Sequence, residues 1–482
     1  MTKTNGSKTA FVVFLVCAAS AIEAQAQTFT TLVNFDGKNG ANPLYMSLAQ
    51  GTDGNFYGTT KTGGTNNCSG GLGCGTVFKI TSSGTLTTIY TFCSQTGCTD
   101  GYFPYAGLVL GDGNFYGTTY TGGYTICGNI REPCGTVYKI TAEGALTTLL
   151  DFDGSGGEQP IGRLIQGTDG NFYGTTIDGG TFGRGTVFRM TPQGTLTAIH
   201  SFNGADGSQP LAGVIQASDG ALYGTTSLGG ASGGGTVFRI TRSGKLTTLF
   251  SFCANCPDGD YPRADLVQGI DGDLYGTTAG GESKDYGTVF AMTLAGKLKT
   301  LHRFSGTDGS YPSAALVQAT DGNFYGATAE GGDLECNAPN GGCGTLFGMT
   351  PQGTLTTLHV FELTDGLGPQ GALLQSTDGR LYGTTVSGGS SNEGTVFSLD
   401  MNLGPFIAFV RAAGRVGQTG GILGQGFTGT TAVLLNGTPA TFTVVSDTFI
   451  KATVPTGATT GYVTVATPSG VLKSNVPFRV IQ

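Results

Sequence analysis

Residues 169–176 read Asp-Gly-Asn-Phe-Tyr-Gly-Thr-Thr, with the run Ile161 to Gln166 before them and Gly179-Gly180, Gly185-Thr-Val-Phe188 and Gly194-Thr-Leu-Thr197 after them. The phrase returns along the chain, and its tyrosine numbers the copies: Tyr57, Tyr116, Tyr173, Tyr223, Tyr275, Tyr325 and Tyr382, spaced by 50 to 59 residues. Self-similarity at such a period marks a stacked or circular array whose units are too thin to bury their faces alone. Within the third copy four short strands are expected: Ile161 to Gln166, Asn171 to Thr176, Gly185 to Thr191 and Thr195 to Phe202. Asp169-Gly170 is a two-residue hairpin signal, because glycine, and aspartate more than most residues, tolerates positive φ. Val187, Phe188 and Met190 make both faces of the sheet apolar, so each sheet needs a neighbour on either side.

The phase of the repeat gives the closure. Phe29 to Phe35 matches a fourth strand, whereas the last copy stops at its third, Gly394 to Asp400. Residues 28–35 are therefore expected to complete the sheet of residues 371–400 and remove the free edge. The expected architecture is all-β: a seven-bladed β-propeller of four-stranded antiparallel blades over residues 27–402. Strand alternation sorts the loops, with the Asp-Gly and Gly-Thr turns on one rim and the second turn and the crossover on the other. Variable loops on a regular scaffold are where recognition usually resides.

Composition agrees with this reading. The 86 glycines accompany 29 Phe and 18 Tyr, too many aromatics for disorder, so the glycines belong to turns. A net charge of −8 without basic runs gives no footprint for nucleic acid. Residues 1–26 read as a signal peptide: Lys3 and Lys8 precede the apolar stretch Ala10 to Ile22, and Ala24-Gln25-Ala26 has the form of a cleavage site. Leu15-Val16-Cys17 departs from a lipidation site in its bulky valine, and no later stretch is apolar enough to span a bilayer. The chain is expected to be exported to the periplasm, the cell surface or the medium.

Ten cysteines remain in five local pairs: Cys68 and Cys74, Cys93 and Cys98, Cys127 and Cys134, Cys253 and Cys256, Cys336 and Cys343. An even set in near neighbours on an exported chain is expected to form disulfides, with zinc and a redox Cys-x-x-Cys as the weaker alternatives. All five pairs fall on the rim of the second turn and the crossover.

From Pro405 onward the pattern changes to Gly420-Gly421-Ile422-Leu423-Gly424-Gln425-Gly426-Phe427, Val433-Leu434-Leu435-Asn436-Gly437 and Gly461-Tyr462-Val463-Thr464-Val465. Alternating strands between Gly and Pro turns imply a small β-sandwich over residues 403–482. These phrases resemble the IPT/TIG immunoglobulin-like domain, and the resemblance implies a spacer or interaction module. Across residues 28–400 the Asp-Gly-Asn-Phe-Tyr-Gly-Thr-Thr and Gly-Thr-Val-Phe phrases resemble the GloVer tandem repeats of exported bacterial proteins, a resemblance that implies no particular activity.

Chemistry is sparse. His200, His302 and His359 share one repeat position, held elsewhere by Val33, Tyr90, Leu150 and Phe250, which favours a structural role over catalysis. Gly230-Ala-Ser-Gly-Gly234 and Gly424-Gln-Gly-Phe-Thr-Gly429 match a nucleophile elbow and a dinucleotide fingerprint, but neither joins a strand to a helix. The candidate binding residues are Asp100, Asp206, Asp258, Asp308 and Asp365, each followed by Gly in the crossover, with Tyr102, Tyr261 and Tyr311 beside them. As a ring at a channel mouth they would suit calcium or sugar hydroxyls, with the tyrosines stacking on sugar rings. As isolated residues, Asp before Gly is a turn former, and that reading is preferred. The function expected is a binding protein that presents the disulfide rim to a glycan or a protein. Two alternatives stand beside it: a propeller enzyme of lactonase or polysaccharide lyase type, and a structural envelope protein. No catalytic residue, cofactor or resident metal is assigned.

Overall fold

The computed structural model describes residues 27–127, 132–253, 256–280, 286–337 and 341–481. The expected signal peptide, with Cys17, lies outside them. Among the described residues the chain is all-β, its helical content limited to the 3-10 turns Ser69–Gly71 and Thr96–Cys98. The third repeat forms Ile165–Gln166, Phe172–Thr176, Thr186–Met190 and Leu196–Ser201, hydrogen-bonded in that order as one antiparallel sheet. Seven such sheets arise from the repeats. The innermost strand is shorter than the sequence suggests, because residues 161–164 follow Pro160 as an irregular crossover rather than continuing the ladder.

The repeated phrase is a list of contacts. In every copy the tyrosine hydroxyl donates to the aspartate of the Asp-Gly turn four residues earlier: Tyr57 to Asp53 at 2.8 Å, Tyr173 to Asp169 at 2.8 Å and Tyr275 to Asp271 at 2.7 Å. The other four copies do the same at 2.8 to 3.0 Å. Burial and the adjoining carboxylate push each of these phenols up, so they stay protonated donors. The last Thr of the phrase and the Thr of Gly-Thr-Val-Phe face each other in the buried ladder, Thr176 to Thr186 at 2.9 Å for example. The glycine after the tyrosine makes room for an aromatic ring: a Cβ on Gly174 would stand 2.6 Å from the Phe188 ring.

Second strands such as Phe172–Thr176 are buried at all five positions, whereas the outermost Leu196–Ser201 is only partly covered. Each apolar cluster of the repeats joins two consecutive sheets. Tyr173, Val187 and Phe202 of the third pack with Val214, Leu222 and Phe238 of the fourth. The succession returns on itself, since Tyr382 and Val396 of the seventh pack with Phe56, Phe78 and Ile80 of the first. The seventh sheet takes its outer strand from the chain's start: Thr28–Asn34 pairs antiparallel with Thr395–Asp400, Phe29 opposite Leu399 and Asn34 opposite Thr395. Phe29 also stacks on the His359 ring of the sixth sheet, centroids 3.8 Å apart.

Residues 405–481 form two further four-stranded sheets around Ile422, Phe427, Val433, Ile450 and Val465. This unit rests on the rim of Asp-Gly turns. Thr448 Oγ1 donates to Thr52 O at 2.8 Å, Arg411 to Thr168 O at 3.1 Å, and Phe406 N to Thr377 O at 3.1 Å. Leu423, Val410 and Phe449 pack toward Leu110 and Phe115.

Filling the Gly174 space is the direct test of this packing. Gly174→Ala is expected to lower unfolding stability by about 1–3 kcal/mol through overpacking against Phe188. Gly170→Asn, in the turn where a Cβ meets nothing within 4 Å and asparagine tolerates the left-handed φ of 87° better than most residues, is expected to change it by less. Urea titration followed by circular dichroism reads both.

Candidate functional site

The aspartates singled out from sequence do not converge. Each closes the turn after its own sheet's outer strand and accepts a hydrogen bond from a side chain. His200 Nε2 lies 2.9 Å from Asp206, His302 Nε2 2.9 Å from Asp308, and His359 Nε2 2.9 Å from Asp365. Tyr90 donates to Asp100 at 2.7 Å, and Thr300 to Asp258 at 2.8 Å. Backbone amides of Ser94, Asn203, Ser305 and Glu362 donate to the same carboxylates at 2.8 to 2.9 Å. The histidines are partners of these turns. The sequence carried that signal six residues apart: where His becomes Leu150, the Asp becomes Gly156, and where it becomes Val33, the Asp becomes Asn39.

Tyr102 reaches Glu132 Oε2 at 3.1 Å, away from the other two tyrosines. Tyr261 and Tyr311 occupy the left-handed region, with φ of 52° and 56°, directly before prolines. Sterics disfavour that conformation for non-glycine residues. It recurs at Asn42, Phe103, Gln159 and Gln209, where the backbone N–H reaches a carbonyl of the preceding sheet; Tyr261 N bonds Gly234 O at 2.9 Å and Tyr311 N bonds Tyr286 O at 3.0 Å. The kink turns the next few residues inward, and there the side chains of separate repeats do meet.

That meeting place is a recess lined by Tyr45, Ser47, Arg163, Arg263, Asp265 and Ser313, among others, contributed by the crossovers of the first, third, fifth and sixth sheets. Asp265 accepts the Gly213 N–H at 2.6 Å and faces Arg163 Nε at 3.8 Å. The Arg263 guanidinium lies over the Tyr311 ring, 5.2 Å from its centroid. Arg263 Nε and Ser313 Oγ are buried without a hydrogen-bond partner among the described residues. Sequence reading missed this set, because its members come from four crossovers far apart in the chain and only the crossover geometry gathers them. The available signal was irregularity: the position of Arg163 and Asp265 holds Ser47, Gly107, Gly213, Ala315 and Ala372 in the other copies.

The rim that carries this recess also carries five disulfides, Cys68–Cys74, Cys93–Cys98, Cys127–Cys134, Cys253–Cys256 and Cys336–Cys343. The sulfurs of Cys68, Cys74 and Cys93 lie within 4.8 Å of one another, the one cluster of potential metal-ligating side chains among the described residues, and all three are engaged in these bridges. Five disulfides accord with an exported chain. No helix among the described residues is long and apolar enough to cross a membrane.

Burial pushes the Asp265 carboxyl up, with Arg163 and the Gly213 N–H opposing the rise. The folded state therefore holds this proton more tightly than the unfolded chain, so the contribution is present at low pH. It is lost as pH rises from about 3.9, the ordinary aspartate value, through the raised folded value. Asp265→Asn is expected to flatten that part of the stability profile, relative to wild type, in thermal melts across the acid range; parallel profiles for the two proteins would contradict the assignment.

Several solved structures are similar to this chain. A fungal alcohol oxidase of the AA5 family, in complex with copper, is 12% identical over 94% of this chain and 99% of its own, with a TM-score of 0.53. The periplasmic gluconolactonase of Pseudomonas aeruginosa is 17% identical over 72% of this chain and 97% of its own, TM-score 0.43. A gluconolactonase of Xanthomonas campestris is 15% identical over 60% and 90%, TM-score 0.36. At 12% identity the likeness to the alcohol oxidase is one of fold alone. No curated protein matches the chain by sequence. The repeat itself is matched over residues 1–131, 125–338 and 258–441, and the chain accordingly belongs to the Gloeobacter/Verrucomicrobia repeat family.

Proposed function

We propose that this chain is an exported binding protein, a seven-bladed β-propeller closed by its N-terminal strand, whose IPT/TIG-like C-terminal domain covers one rim and leaves the disulfide rim to engage a protein partner. The observation that carries this reading is where the exposed large apolar side chains lie. Within the repeats, Leu72, Tyr124, Ile126, Phe182, Leu334 and Leu363 belong to second turns or crossovers, with Tyr124 81% exposed, whereas the rim of Asp-Gly turns contributes Ile270; Val416, Val445 and Val471 lie on the C-terminal domain. Large apolar side chains exposed on loops of one face suit an interaction surface there. Aliphatic side chains such as Leu72, Ile126 and Leu334, beside the aromatic Tyr124 and Phe182, suit an apolar protein surface.

The five short disulfide loops support the same reading. A bridge that closes a loop of 3 to 7 residues constrains its own loop more than the whole fold, so it holds a surface in one shape before binding. Contacts from Thr448, Arg411 and Phe406 occupy the opposite rim.

The test is photo-crosslinking of the full mature chain to exported proteins of its own source. Wild type and Ile270→Ser are expected to give the same discrete crosslinked species. The variant Tyr124→Ser/Phe182→Ser/Leu334→Ser is expected to lose it while unfolding within about 0.5 kcal/mol per site of wild type. A crosslinked species that survives the triple variant would overturn the assignment of the rim.

A further inference from the structure

We propose that the recess lined by Arg163, Arg263, Asp265 and Ser313 is a binding site for a carboxylate head group, gripped by the two guanidinium groups and by the Ser313 hydroxyl. The inference is independent of the protein-binding rim and stands or falls by itself.

Three observations carry it. The first is charge placed against the repeat. At the position that brings a side chain to the recess, five copies have Ser47, Gly107, Gly213, Ala315 and Ala372, while two have Arg163 and Asp265. Two residues earlier, Arg263 stands where other copies have Tyr105, Ile161, Leu211, Ser313 and Gln370. Small or uncharged residues satisfy the fold here, so packing does not require the charges. Two arginines against one aspartate leave this recess with an excess of positive charge on a chain whose net charge is −8.

The second is unused hydrogen-bonding capacity. Ser313 is 3% exposed, lines the recess, and its Oγ has no partner; Arg263 Nε is buried and likewise has none. Leaving buried polar atoms unpaired is costly, and a ligand that accepts from both recovers that cost. An acceptor with two oxygens matches the planar fork of arginine, for which carboxylate and phosphate are the usual partners.

The third is size and stiffness. The recess measures about 40 Å³, where one water needs about 10–15 Å³ on the same measure, so a carboxylate head group fits. The Tyr311 ring beneath the Arg263 guanidinium fixes one wall, and Tyr311 is itself held by its strained backbone and its bond to Tyr286 O. Asp265 holds Arg163 on the opposite side. The grip is therefore arranged before any ligand arrives, which limits the entropy lost on binding.

Acetate is the probe. Titration of the full mature chain with 13C-labelled acetate, read by line broadening of the acetate signal, is expected to show saturable binding. Arg263→Gln is expected to weaken it by about tenfold or more, the loss of one charge-assisted contact. Ser313→Ala, which deletes the unpaired hydroxyl with little risk to folding, is expected to weaken it by a smaller factor, and Arg479→Gln at the opposite rim is expected to leave it unchanged. Should Arg263→Gln fail to fold by circular dichroism, Ser313→Ala decides alone. Absence of saturable binding to wild type, or equal affinity in wild type and the Ser313 and Arg263 variants, would overturn the proposal, as would tight binding of sulfate with none of acetate.

Discussion

Each sheet of the repeat is apolar on both faces, and that single constraint organises the molecule. A four-stranded sheet with Phe172, Tyr173, Val187 and Phe188 buried cannot stand beside water on either side. Every sheet must therefore be covered by two others, and a linear row would leave its first and last members half exposed. The shared cluster of Tyr382 and Val396 with Phe56 and Phe78 is the physical answer, with no terminal member left over. Pairing of Thr28–Asn34 with Thr395–Asp400 completes it at the level of hydrogen bonds. The latch joins the two ends of the repeat array, so loss of either end exposes both a sheet edge and an apolar face.

Within this frame the repeat separates two kinds of residue. What recurs is structural: the Asp-Tyr strut, the facing threonines, the glycine under the phenylalanine ring, and the His-Asp or Tyr-Asp bond that closes the outer turn. What departs from the repeat sits where no fold requirement explains it. Arg163, Arg263 and Asp265 are of this second kind, as are the exposed apolar side chains of the second turns and crossovers. In a protein built from near-identical units, exceptions report function better than chemistry-bearing residues that recur.

Much of the architecture was legible from the chain alone. Asp-Gly turns, the count of repeated tyrosines, the phase offset between Phe29 and Asp400 and the spacing of the cysteines are local signals, and local signals survive in a linear reading. The site was not legible in the same way. Asp206 reads as a candidate and His200 as structural, unconnected because their bond runs from strand to turn, and only the matched replacement by Leu150 and Gly156 links them in the sequence. The recess needed the left-handed residue before each proline, which aims the crossover inward, and nothing about Gln209 or Tyr311 as residue types announces a positive φ. Innermost strands were read too long for the same reason.

Amide hydrogen exchange across the N-terminal strand tests closure most directly. If Thr28–Asn34 is a full member of the seventh sheet, its inward amides exchange as slowly as those of Thr395–Asp400 and lose protection together with them on addition of urea. Exchange of residues 28–34 at the rate of an unstructured terminus, while residues 395–400 stay protected, would contradict a ring held shut by its own first strand.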